Sequence, residues 1–180
     1  MALEAAFCDL TARLGTLREE LIDLRTTVLE DKPLHGEVVL VEVLSDAIDE
    51  MLGWLEEALT DATIGRQAVE DDLNVHRARR ALAACQDRYL QIMRRFTLDL
   101  VSYDHLAEMM RFGQRQGREW RAWTQSAGAA LAASHRTIFD VQEALCRCWQ
   151  ELAECVSITR AHTLQHTDDH ACISFSQKTT

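Results

Sequence analysis

Apolar residues recur along this chain at alternating steps of four and three, the spacing that lays one stripe down an α-helix. Leu3, Phe7, Leu10, Leu14, Leu17, Leu21, Leu24 and Val28 keep that rhythm without a miss, which predicts a first helix over about 2–31. The stretch EDKPLHG then stops it, because Pro33 cannot continue the hydrogen-bond ladder and Gly36 tolerates a turn. Leu34, Val38, Val41, Ser45, Ile48, Leu52, Leu55 and Leu59 predict a second helix over 35–61. Its opening, EVVLVEVL, has the β-branched look of a strand, but no other stretch offers a strand to pair with.

After an expected turn in TDATIGRQ, around Gly65, a third series runs Val75, Ala78, Leu82, Cys85, Tyr89, Ile92, Phe96, Leu100, Tyr103, Ala107 and Met110, predicting a helix over 66–112. Two successive four-residue steps from Ile92 to Leu100 are a local phase slip, which alters supercoil pitch without ending a helix. FGQRQG supplies glycines for the next turn. The last series, from Trp120 through Ala127, Ser134, Val141, Cys148 and Cys155, predicts a helix over 118–163.

Four such segments with short connections imply an all-α fold: an antiparallel up-down-up-down four-helix bundle with coiled-coil-like heptad packing. The bundle is expected to occupy 1–165, leaving 166–180 as a flexible C-terminal tail. Helices 3 and 4 are longer than helices 1 and 2 on this reading, so either the 93–137 hairpin projects past its neighbours and pairs with a partner, or helix 3 breaks near VSYDH, around Tyr103, and folds back into a compact bundle. Bare apolar surface on such a hairpin is costly in water, at about 25 cal/mol per Å². Met109, Met110, Phe112, Trp120 and Trp123 are therefore the expected partner-binding residues, methionine and tryptophan being residues that interfaces favour.

Composition narrows the class without naming an activity. The chain has 180 residues, 47% hydrophobic, with one proline and seven glycines, poor in the turn residues an all-β fold needs. It has no run of about twenty apolar residues, so no membrane partner is expected. Net charge is −10, but residues 73–121 carry 10 bases and 5 acids beside an N-terminal stretch, 1–72, of 18 acids and 5 bases. That split makes the basic segment complementary to the chain itself: Arg77, Arg80, Arg88 and Arg95 should find internal partners, and no nucleic-acid partner is expected.

Two clusters carry potential chemistry. CRCWQELAEC holds three of six cysteines in ten residues. On a helix Cys148 and Cys155 are two turns, about 10 Å, apart, too far to share a metal, and Cys146 faces elsewhere; they read as apolar core residues. Downstream, His162, His166 and His170 at i, i+4, i+8 would share one face of an extended helix and could hold a zinc or copper ion. No other cofactor is suggested, and no phosphate loop, nucleophile elbow or ordered triad occurs. The reading is a non-enzymatic scaffold or adaptor module, cytoplasmic, that self-associates as a homodimer or oligomer or docks a protein partner through the 93–137 hairpin. The alternative is a metal- or small-ligand-binding bundle using the histidine row.

Overall fold

A computed structural model describes residues 2–30, 38–100 and 118–176, with side chains described throughout except at 30, 38–41, 43, 72, 119–120 and 159–176. Among the described residues the chain forms four α-helices and no strand: α1, Ala2–Glu30; α2, Val38–Asp72; α3, Val75–Arg95, continued by a π turn at Phe96–Leu100; and α4, Arg118–Ser176. They pack as an antiparallel up-down-up-down bundle, each helix beside its neighbours in the ring α1–α2–α3–α4. The register can be read from cross-helix ion pairs. Arg25 meets Asp49 at 2.5 Å, and Arg18 meets Glu56, between α1 and α2. Arg88 meets Glu57 at 2.6 Å and Arg95 meets Glu50 at 2.9 Å between α2 and α3. Arg147 meets Asp9 at 2.9 Å between α4 and α1.

The eight stripe residues of α1 are all buried, as the heptad spacing requires. The stripe of α2 differs from the one the large aliphatics suggest. Its core positions are Leu44, Ile48, Met51, Leu55, Ala58, Ala62, Gly65 and Val69, with Leu52 and Leu59 only half-buried. Three of those eight, Ala58, Ala62 and Gly65, are small. They let α1 approach closely, and the Phe7 ring lies directly against Gly65.

This corrects the expected boundary between helices 2 and 3. TDATIGRQ is helix, so α2 ends at Asp72 rather than 61 and α3 starts at Val75 rather than 66. The turn is made by Leu73, in the left-handed region at φ 46, and Asn74, whose side chain accepts the Arg77 amide hydrogen bond at 3.0 Å and caps α3. The phase slip at Ile92–Leu100 takes the form of the π turn, with Phe96 and Leu100 both buried.

The shifted turn removes the expected projection wherever the hairpin is described. With α2 eleven residues longer at its end, its first half lies beside the end of α3, so Glu50 reaches Arg95 and Leu44 lies across a small void from Leu100. Residues 93–100 and 118–137 are thus packed within the bundle rather than clear of it. The expected end of helix 3 at 112 lies outside the described residues.

Helix α4 continues to Ser176, past the expected end at 163. Gln86 pairs with Trp149, which sets Val75 level with about residue 160 of α4. The last sixteen or so residues of α4, about 24 Å of helix, therefore run beyond the start of α3.

Candidate functional site

The four sides of the bundle are not closed equally. α1–α2, α2–α3 and α1–α4 pack over long stretches, while α3 and α4 share the slimmest contact. The other three sides carry cross-helix ion pairs; among the described residues none joins α3 to α4. Polar and aromatic contacts hold that side instead. The Tyr89 hydroxyl donates to the Ile138 carbonyl at 3.1 Å and also lies 3.5 Å from Gln142 Oε1, the Trp149 indole N–H donates to Gln86 Oε1 at 2.6 Å, and the Phe96 ring stacks on His135 with centroids 5.9 Å apart. Leu90 and Phe139, next in sequence to Tyr89 and Ile138, remain 52% and 45% exposed.

Where this side opens, beyond Trp149, α3 and α4 leave a groove of about 330 Å³ lined by Arg79, Trp149, Leu152, Ala153, Val156 and Ser157. Its α4 wall is mostly apolar, because residues 149, 152, 153 and 156 share a stripe at i, i+3, i+4, i+7. The hydrogen bond to Gln86 fixes how the indole of Trp149 lies in that wall. Ile158, just past it, is 59% exposed. Among the described residues Arg79 is the only charged one lining the groove, and it makes no ion pair with them. A second opening, at the other end of the bundle between Leu24, Val28, Leu44, Leu100 and Gly128, is an apolar void of about 20 Å³, room for one water and not for an organic ligand.

The residues singled out from the sequence fall in different places. Trp123 is turned inward and only 3% exposed, and its indole N–H donates to the Thr27 carbonyl at 3.1 Å. Thr27 lies in the last turn of α1, where carbonyls lack intrahelical partners, so Trp123 caps a helix end and is not offered to a partner. This corrects its assignment to an outward docking face: the start of α4 packs along the end of α1. Met109, Met110 and Phe112 lie outside the described residues. Trp120 lies on α4, but its side chain is outside them.

The cysteine cluster behaves as helix geometry requires. Cys148 is buried, Cys155 half-buried and Cys146 exposed, and none of the five described cysteines is in a disulfide. Burial pushes the thiols of Cys85 and Cys148 up to about 12, which leaves them protonated and poorly nucleophilic at neutral pH. Burial likewise raises Tyr89 to about 12, keeping its hydroxyl a donor.

The backbone of His162, His166 and His170 is helical, so their positions share one stripe of α4, but their side chains lie outside the described residues. Among the described residues no three His, Cys, Asp or Glu side chains stand close enough to hold a metal ion. Arg88 and Arg95 have the internal acidic partners expected of them, whereas Arg77 and Arg80 make no ion pair with the described residues. No described helix is long and apolar enough to cross a membrane.

The groove itself was not found from sequence. Trp149, Leu152 and Val156 look like ordinary continuation of the α4 stripe, and only the slim packing of α3 on α4 leaves Trp149 and Val156 partly exposed there, with Leu152 buried behind them. Comparison of the chain with protein-family models, with curated proteins and with solved structures finds no match.

Proposed function

We propose that this chain is a non-catalytic helical interaction module, an adaptor or scaffold, that docks a protein partner in the groove between α3 and α4. The observation that carries the reading is the slim α3–α4 contact, which leaves Trp149, Leu152 and Val156 as a preformed apolar wall while the other three sides of the bundle are strapped by ion pairs. The docking surface moves from the 93–137 hairpin to this groove, because the described part of the hairpin is packed into the core. The protonated, buried thiols favour binding over chemistry, and described cysteines outside any disulfide fit a cytoplasmic setting.

The test is differential capture from extract of the native host on immobilised chain and on its Val156→Asp variant. A partner retained by the first and lost by the second is the expected result. Identical protein profiles on both would overturn the assignment to this groove.

A second reading, a zinc- or copper-binding role for His162, His166 and His170, is favoured by one finding: α4 stays helical to Ser176, which keeps the three positions on one stripe. Elemental analysis of protein purified without an affinity tag tests it. One metal ion per chain, lost in a His166→Ala variant, is the expected result, and metal-free protein whose melting temperature zinc and copper leave unchanged would remove it.

A further inference from the structure

We infer that the occupant of the α3–α4 groove is an amphipathic helix bearing acidic residues along one edge of its apolar row. The inference rests on the docking reading above and adds the partner's shape and charge. Shape follows from the groove. It is open along its length, so it would leave a small ligand largely wet, whereas binding sites for such ligands enclose most of their surface. Its α4 wall repeats at i, i+3, i+7 through Trp149, Leu152 and Val156, the spacing that a second helix with an apolar row meshes with. An added helix would lie beside α3 and α4 as a fifth member of the bundle.

Charge follows from the rim. Among the described residues Arg79 is the one charged residue lining the groove, and it has no ion-pair partner among them. Arg77 and Arg80 flank it in sequence, are exposed, and are also without an ion pair there. The same turns form the start of α3, where the helix dipole adds partial positive charge. The acids in this part of α4, Glu151 and Glu154, do not line the groove. An apolar row flanked by carboxylates satisfies both walls, while a row flanked by lysines would set ammonium groups against Arg79.

Two fluorescein-labelled helical peptides of about five turns test this by anisotropy titration. They share one leucine row and differ only in carrying glutamates or lysines along its edge. The glutamate peptide is expected to saturate the chain, with the lysine peptide about fivefold weaker, the size of a partly exposed charge pair. Arg79→Glu should reverse that order. Val156→Asp should abolish binding of both peptides, with circular dichroism confirming the fold, and Leu98→Asp, at an exposed residue outside the groove, should change neither. Equal affinity for both peptides, or an order that Arg79→Glu leaves unchanged, overturns the acidic-helix inference and leaves groove docking standing. Failure of both peptides to saturate overturns groove docking as well.

Discussion

Phe7 on α1 lies against Gly65 on α2 so closely that a side-chain carbon built on the glycine would sit 2.8 Å from the ring's Cζ, well inside contact distance. The pair fixes how near α1 and α2 come. It also explains why α2 passes through TDATIGRQ without turning: the glycine makes room for an aromatic ring rather than for a bend.

Replacing Gly65 should therefore run against helix propensity. Alanine in a helix interior gains up to about 1 kcal/mol over glycine, but at Gly65 the overlap with Phe7 should turn that gain into a loss of about 1–3 kcal/mol. Gly53, on the same helix with open space beside it, is the control, and Gly53→Ala should stabilise by about 0.5–1 kcal/mol. Urea midpoints of the two variants check the contrast. Equal effects would mean that Phe7 does not rest on Gly65.

The α2–α3 turn offers the opposite substitution. Leu73 adopts φ 46, a conformation that costs a leucine about 1 kcal/mol and a glycine nothing. Leu73→Gly should raise the midpoint, whereas Asn74→Ala should lower stability by about 1 kcal/mol through loss of the cap on α3. If Leu73→Gly destabilises, the turn is not where the structure places it.

Trp123 is a structural residue on this evidence of burial and bonding. Trp123→Phe keeps most of the buried ring but leaves the Thr27 carbonyl without its donor, and should cost about 1–2 kcal/mol in thermal or urea unfolding. A neutral Trp123→Phe change would return the residue to the outward face expected from the sequence.

Alkaline pH should unfold the protein early. The native state holds the protons of Cys85 and Cys148 to about 12, against 9.0 for an ordinary thiol. Because the unfolded chain ionises first, stability is full below about pH 9 and drains as pH rises towards 12, by at most about 1.4 kcal/mol per pH unit for each thiol. Urea midpoints between pH 8 and pH 11 follow the loss, and Cys85→Ala or Cys148→Ala should flatten it. A slope unchanged in both variants would assign the alkaline loss to other groups.

The bundle was legible in the sequence because its large apolar residues keep a strict spacing: α1 and the Ala78–Leu100 stretch are buried at the positions that spacing names. The α2 boundary was not. Its second half buries Ala58, Ala62, Gly65 and Ala68, residues too small to mark a stripe, and a glycine among threonines resembles a turn until Phe7 is set beside it. The true turn, Leu73–Asn74, contains neither glycine nor proline. A helix ended eleven residues early makes its neighbours look overlong, which is why the 93–137 hairpin reads from the sequence as projecting. The groove depends on how closely α3 packs on α4, a relation between the two helices that neither segment encodes alone.

Hydrogen exchange read by mass spectrometry, on the chain alone and saturated with the glutamate-edged peptide, bears most directly on the docking role. Slowed exchange confined to the α3 segment 75–86 and the α4 segment 149–158, with α1 and α2 unchanged, is the predicted result. Protection that falls instead on 101–117, or on no segment, would contradict docking in the α3–α4 groove.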